Sequence, residues 1–149
     1  MIQQISWLEI FEIWSEKLWP QRNVQTIEPF SAMLLDGGYG NNQSYSPTFW
    51  GYTCNSAIVG VNSGHACVDG SYRSRGLWVD PEHRNQGIGR NLLLKALEQA
   101  ENENTRLCWS LPRKTSWPTY QSAGFELYSD WFQTETSDAN AYCVKRLVK

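Results

Sequence analysis

The sequence predicts an α+β domain with one mixed, mostly antiparallel central sheet flanked by helices. Three observations lead there. Between residues 48 and 79, three apolar runs rich in β-branched and aromatic residues are separated by hairpin-type breaks. From 72 to 111, a strand, a long helical pattern and a further strand succeed one another, the order of a right-handed crossover joining parallel strands. After a second, shorter helix, two more strand-like runs close the chain. The 149 residues make a single domain, 1–149, large enough for a real core and too short for two.

The chain opens on a short apolar piece, 2–5. Ser6-Trp7-Leu8-Glu9 then reads as a capping box, with Ser6 as N-cap and Glu9 reaching back. Leu8, Phe11, Trp14 and Leu18 follow at spacings of three and four, an amphipathic helix ended by Trp19-Pro20. A second short helix is expected around 29–35. The stretch 37–47, rich in Gly, Asn and Ser without apolar periodicity, reads as a long loop whose Tyr39 and Tyr45 suit a lid or substrate wall.

Three strands, 48–54, 57–66 and 72–79, form an antiparallel meander with turns at Asn55-Ser56 and Asp69-Gly70, and Asp80-Pro81 stops the third. Over 87–103, Ile88, Leu92, Leu93, Ala96, Leu97 and Ala100 make one apolar face of a helix. Residues 107–111 are a strand with Leu107, Trp109 and Leu111 on one side. Residues 117–123 are a short helix closed by Gly124. Strands 125–134 and 141–148 finish the chain, joined by a turn at 137–140.

Composition narrows the function. Apolar residues are 41% and charged residues 19%, which excludes a disordered chain and a coiled coil. Eight Trp in so small a domain cannot all be buried, so some should line a groove. The formal charge of -2 gives no basic footprint, and nucleic acid is not expected as a partner. No apolar run approaches the roughly eighteen residues of a membrane span, and the N-terminal residues, with Glu9 and Glu12, do not read as a signal peptide, so a cytoplasmic protein is expected. Cys54, Cys67, Cys108 and Cys143 form no C-x-x-C pair and neither His65 nor His83 is at ligand spacing from them, so no metal is expected and the thiols should be reduced. The sequon Asn42-Gln43-Ser44 carries no weight in such a chain.

The informative segment is Gly76-Leu77-Trp78-Val79-Asp80-Pro81-Glu82-His83-Arg84-Asn85-Gln86-Gly87-Ile88-Gly89-Arg90. A strand stops at a proline, a polar turn carries two glycines, and a long helix begins. Glycines let backbone approach a ligand closely, and a helix N-terminus offers unpaired N–H groups and a positive dipole end, which suits phosphate. Arg84 and Arg90 add charge for a diphosphate. The spacing is neither a dinucleotide fingerprint nor a nucleotide P-loop.

Val79-Asp80-Pro81-Glu82-His83-Arg84-Asn85-Gln86-Gly87-Ile88-Gly89 resembles the acetyl-coenzyme A signature of the GNAT superfamily of N-acetyltransferases: V-x-P, then R/Q-x-x-G-x-G/A, then a helix. Tyr120-Gln121-Ser122-Ala123-Gly124-Phe125 is similar to that family's Y-x-x-x-G-F motif, and the order of strands and helices matches its fold. The chain departs from many relatives in carrying Arg113 and Ser116 where Asn and Ala are frequent. Near the position of a glutamate general base in some relatives it has Arg73, which cannot be a base at neutral pH.

The resemblance implies transfer of the acetyl group of acetyl-CoA to a primary amine of a small molecule or peptide by direct attack. The cosubstrate would be held by Leu77, Trp78 and Val79 as an added strand edge, and by Arg84, Asn85, Gln86, Gly87, Ile88, Gly89 and Arg90 around its diphosphate. The Val79 N–H would polarise the thioester carbonyl. Tyr120 would be the general acid for the departing thiolate, and His65 is the candidate base, ahead of Asp69 and Asp80. The alternative is a non-catalytic acyl-CoA-binding module acting in interaction or regulation. Tyr39, Tyr45, Trp50, Tyr72 and Trp117 suggest an aromatic acceptor groove. Arg106, Arg113 and Lys114 form a candidate contact patch for a larger partner, with a solvated face as the plainer reading. A homodimer is left open.

Overall fold

The structure, a computed structural model, describes residues 1–20, 46–67, 69–133 and 139–147. The expected helix at 29–35 and nearly all of the loop at 37–47, including Tyr39 and Tyr45, lie outside these residues. β1 (Ile2–Gln4) leads into α1 (Trp7–Ile13), which widens into a π-turn over Trp14–Leu18. The capping box is present: the Glu9 N–H donates to Ser6 Oγ at 3.2 Å and the Ser6 N–H to Glu9 Oε1 at 2.9 Å. The apolar stripe differs from the expectation. Leu8 is exposed, while Ile10 and Trp14 are fully buried. Trp7 and Trp14 turn toward Phe49 of the sheet, and the widened turn shifts the residues after Ile13 around the helix axis.

β2 (Thr48–Cys54), β3 (Ala57–Ala66) and β4 (Tyr72–Val79) make the antiparallel meander. Asn55 and Ser56 both take positive φ, at 51° and 69°, as a two-residue hairpin turn requires. The connection from Ala66 to Tyr72 is longer than the two-residue turn expected at Asp69-Gly70. There the Asp69 carboxylate accepts the Ser71 N–H at 2.9 Å and the Ser71 hydroxyl at 2.6 Å.

α2 (Ile88–Asn102), β5 (Leu107–Ser110) and α3 (Trp117–Ser122) follow within two residues of their expected limits. The end of the chain departs from the two long strands expected. It holds β6 (Glu126–Leu127), β7 (Phe132–Gln133), β8 (Ala139–Asn140) and β9 (Cys143–Arg146). Past Leu127 the Tyr128 N–H still donates to the Tyr142 carbonyl at 2.9 Å, and the ladder ends where the Ser129 hydroxyl, not a backbone carbonyl, accepts the Tyr142 N–H, at 2.9 Å. β7 then leaves the main sheet and pairs with β8 alone.

The main sheet runs β1-β2-β3-β4-β5-β9-β6. Its β4–β5 pair is parallel and joined through α2, as the crossover order requires. α2 packs Leu92, Leu93, Ala96 and Leu97 onto one face, in a core with Trp50, Val59, Tyr72, Cys108 and Phe125. α1 covers the other face with Ile10 and Trp14 beside Ile5, Phe49 and Val61.

One irregularity positions the site. Val61 pairs with Trp78 and Ser63 with Arg75, so Gly76 and Leu77 together oppose Asn62 in a β-bulge. Gly76 has a φ of +82°, and a Cβ there would collide with the Trp14 indole. The Trp14 Nε1–H donates to the Gly76 carbonyl at 2.8 Å. Parallel pairing between β4 and β5 covers only Tyr72–Cys108 and Arg73–Trp109, so the segment beyond the bulge faces a gap.

Trp14→Ala should therefore remove about 3–5 kcal/mol of unfolding free energy. Leu8→Ala on the same helix should cost under about 1 kcal/mol, since Leu8 is 66% exposed. Urea denaturation of the two variants checks the contrast.

Candidate active site

The gap between β4 and β5 opens into a cleft that passes from one face of the sheet to the other. Leu77, Trp78 and Val79 line it from the diverging strand, and Arg84, Asn85, Gly87, Ile88, Gly89 and Arg90 line it from the turn and the start of α2. Gln86 does not line it and is exposed. Tyr120 lines it from α3 and Ser110 from the end of β5.

The turn is built from its sequence. Pro81–His83 form a single 3₁₀ turn, held by the Asp80 carboxylate against His83 Nδ1 at 2.8 Å. Arg84 folds back and its Nε–H donates to the Val79 carbonyl at 3.0 Å. Asn85 and Gly87 both take positive φ, 63° and 81°. Gly87 is the N-cap of α2 and offers no side-chain cap, so the first N–H groups of the helix are left to another acceptor. The Arg90 Nε–H donates to the Ser122 carbonyl at 3.1 Å, which ties α2 to α3.

The two glycines differ in their reasons. A Cβ at Gly87 would meet open space, so that residue serves the left-handed turn and the access above it. A Cβ at Gly89 would lie 2.9 Å from Thr119 Cγ2, so that residue serves the close approach of α3. Uncapped N–H groups, an open approach and two arginines fit a diphosphate.

Tyr120 is buried against Phe125, with ring centroids 5.6 Å apart. Burial, with the Cys143 thiol behind it, holds the phenol well above the usual tyrosine range, while a hydrogen bond with Ser110 and the charge of Arg73 act the other way. The Ser110 hydroxyl also donates to the Ser74 carbonyl at 2.7 Å. Sequence reasoning missed Ser110. Its only signal was alternation along 107–111: Leu107, Trp109 and Leu111, which share one side, are half-buried, while Cys108 and Ser110 on the other are buried.

His65 does not line the cleft. It is fully buried on β3 and paired with Arg73, so β4 stands between it and the gap. Its Nδ1 is 3.2 Å from the Ala66 carbonyl, and burial pushes the imidazole down to about 4. Asp69 is engaged by Ser71 and Asp80 by His83, and neither lines the cleft. The aromatic groove is corrected as well. Trp50 and Tyr72 belong to the α2 core, and Trp117 packs edge-on to Trp131 at 6.3 Å. The aromatic residues that do line the cleft include Trp19, Trp78, Phe132 and Tyr142. The basic patch is divided: Arg106 precedes β5, while Arg113 and Lys114 follow it, about 20 Å further along the strand direction. Arg113 lines the cleft, and Lys114 lies 5.8 Å from the Trp131 ring. Among the described residues, no three His, Cys, Asp or Glu are placed to hold a metal ion, and no helix is long and apolar enough to cross a membrane.

Residues 46–127 match the family model of the acetyltransferase (GNAT) domain, more than half of the chain. The chain belongs to the GNAT family of acetyltransferases. The fold agrees. An aminoglycoside 6′-N-acetyltransferase complexed with coenzyme A superposes with a TM-score of 0.74 at 8% identity, covering 100% of this chain and 98% of that one. A GNAT-family acetyltransferase from Staphylococcus aureus gives 0.69 at 17% identity over 99% of both chains. A ribosomal-protein-alanine N-acetyltransferase from Brucella melitensis gives 0.70 at 16% identity, also over 99% of both. No curated protein matches by sequence. In this GNAT acetyltransferase, the family-matched segment runs from β2 through β6 and contains both the turn and Tyr120.

Two outcomes are expected of this acetyltransferase. Gly87→Val forces a branched residue into a left-handed conformation, so it should lower Tm and reduce coenzyme A affinity at least about tenfold. Calorimetric titration of the folded variant checks it. The second concerns acid. The unfolded state protonates His65 near pH 6.5, whereas the native imidazole stays neutral to about pH 4. The unfolded state thus binds the extra proton in that window. The stability is complete above pH 6.5 and declines as pH falls toward 4. Between about pH 7.5 and about pH 5 the loss should be about 2 kcal/mol, and His65→Gln should flatten it in urea titrations.

Proposed function

We propose that the chain transfers the acetyl group of acetyl-CoA to a primary amine by direct attack, with Tyr120 as general acid. One observation carries this reading. An unpaired strand edge, Leu77–Val79, leads from an uncapped helix N-terminus flanked by two arginines to a buried phenol that opens on the same cleft. Acetyl-CoA would supply an acyl group activated as a thioester. The diphosphate fits the N–H groups at the start of α2 beside Arg84 and Arg90. The strand edge beyond the bulge offers backbone groups to the pantetheine amides. The coenzyme A held by the aminoglycoside acetyltransferase of the same fold supports this assignment.

The chain's own residues then divide the work. The Val79 N–H lies on the diverging strand, where a donor can stabilise negative charge developing on the carbonyl oxygen. Tyr120 Oη keeps its proton through neutral and alkaline pH because it is buried, and it is the proton source for the thiolate. Ser110 fixes the phenol, and the charge of Arg73 stabilises the phenolate left behind. The proton of the attacking amine passes to solvent water.

Acetyl-CoA at about millimolar concentration should raise Tm, because it binds only the folded turn. Tyr120→Phe should keep that shift while turnover, followed by thiol release, falls about 10²–10⁴-fold. The alkaline limb of the wild-type profile should not fall near pH 10, the ordinary value for tyrosine, since the buried phenol ionises higher. Unchanged turnover in the Phe variant removes Tyr120 from the mechanism. Coenzyme A binding without turnover on any amine identifies a binding module instead.

A further inference from the structure

Leu77–Val79 and the turn make one wall of the gap, and the other wall, beyond β5, carries two exposed rings. Phe132 is 38% exposed and Tyr142 41%. Among the described residues, they are the exposed large apolar side chains that line the cleft. The strand register places them. Ser110 on β5 pairs with Cys143 on β9, and the Ala141 N–H donates to the Pro112 carbonyl at 3.3 Å. Tyr142 therefore stands beside Leu111, one strand spacing, about 4.8 Å, beyond the β5 edge of the gap. Cys143 belongs to the α2 core, so Tyr142 projects from the opposite face of the sheet. There its ring lies 5.9 Å from the Trp109 ring, whose Nε1–H donates to Ser71 Oγ at 3.1 Å. β7 leaves the main sheet and lays Phe132 against Tyr142, with centroids 5.8 Å apart and planes tilted by 34°. The three rings form a row, anchored at Trp109 and open at Tyr142 and Phe132.

We propose that the acceptor is a primary amine on an aromatic body, whose ring packs on Phe132 and Tyr142 while a short arm carries the amine into the β4–β5 gap. This rests on the acetyl transfer proposed above and names its substrate class. Exposed apolar surface inside a cleft gains most from a ligand that removes it from water. Aromatic pairs gain beyond that area where centroids lie about 4.5–7 Å apart in tilted or offset arrangements. Trp109, Tyr142 and Phe132 already keep such spacings, so an incoming ring continues the row. Two rings in contact leave no space between their faces for an ammonium, so they offer an outer apolar wall and not a cation box. The wall lies on the face of the sheet opposite the α2 core that holds Tyr120, so amine and proton donor reach the gap from different faces. The amine nitrogen bonds to the acetyl carbon and the carbon–sulfur bond breaks. The thiolate takes the Tyr120 proton, and the proton lost by the amine goes to solvent, from which the phenolate regains one.

The test compares phenethylamine with 2-cyclohexylethylamine, butylamine and 1,4-diaminobutane. Thiol release with saturating acetyl-CoA gives kcat/KM for each, corrected for the fraction of neutral amine. In parallel, calorimetry measures binding of the same compounds to the chain saturated with coenzyme A. The aryl amine should be preferred to butylamine by about tenfold or more, the gain from burying a ring, and to the cyclohexyl amine by about threefold. Phe132→Ala and Tyr142→Ala should each raise KM for phenethylamine about threefold to tenfold, with kcat less affected and the coenzyme A melting shift kept. Tyr142→Phe, which keeps the ring, should retain the parent KM. Equal use of the four amines, a preference for the diamine, or a cyclohexyl amine used as well as the aryl one overturns the proposal and leaves acetyl transfer standing. An aryl preference that survives both alanine variants also overturns it, since the ring then binds elsewhere. Aryl-selective binding without turnover supports this acceptor class and counts against the transfer. Neither selective binding nor turnover overturns both.

Discussion

The contact between the Trp14 indole and Gly76 is the constraint on which the site depends. Gly76 has a left-handed φ that a side chain resists, and no side chain fits beneath the indole, so the bulge and the first helix specify each other. The bulge turns β4 away from β5 after Arg73, and that divergence makes the gap. A regular strand at 76–77 would continue the parallel ladder and use up the N–H and C=O groups of Leu77–Val79. The hydrogen bond from Trp14 Nε1 to the Gly76 carbonyl also satisfies a group that the bulge takes out of the ladder. A residue of the π-turn that ends the first helix, far from residues 80–87 in sequence, thus sets where β4 leaves β5.

Beneath the gap, on the α2 face, a row of buried polar side chains carries order from the bulge to the phenol. The Asn62 Nδ2–H donates to Ser74 Oγ at 2.9 Å, the Ser110 hydroxyl donates to the Ser74 carbonyl at 2.7 Å, and Ser110 is hydrogen-bonded to the Tyr120 phenol. Buried hydroxyls and amides are costly unless paired, and paired they fix one arrangement. That row explains why a tyrosine in a short helix can be held at a defined depth in the cleft. α3 has only six residues, so its position comes from packing onto α2 and β5, with Thr119 against Gly89 and the Arg90 guanidinium on the Ser122 carbonyl, and not from helix propensity.

Local chemistry was legible in the sequence and facing was not. Ser6 and Glu9, Asn55-Ser56, the helix expected over 87–103 and the glycine-bearing turn before it each rest on neighbours within a few residues, and each formed within a residue of its expected limits. Trp50, Tyr72 and His65 were misjudged because which face of a strand meets the core depends on its partners. Period-two alternation shows that Trp50 and Tyr52 share a face, but not that the face belongs to α2. The split of β6 from β7 turned on one side-chain acceptor, Ser129, which has no pattern in sequence. Arg73 and Arg75 could have been read together. Their spacing in 72–79 puts both on one face, and the departure from a glutamate at that place was already a statement about charge.

The two ends of the cleft answer different electrostatic demands, and the sheet keeps them apart. The end at the start of α2 has backbone N–H groups without a side-chain cap and two exposed guanidinium groups held on carbonyls, an accessible arrangement suited to a diphosphate. The far end uses guanidinium groups stacked on indoles and nearly removed from solvent, where each charge acts through a lower dielectric and with less screening. A charge in that setting does more than attract. It shifts ionisation toward phenolate at Tyr120. A carboxylate in place of Arg73 would reverse that effect and push the phenol higher still. An arginine at that place therefore suits a phenol that has to give up its proton, the role proposed for Tyr120.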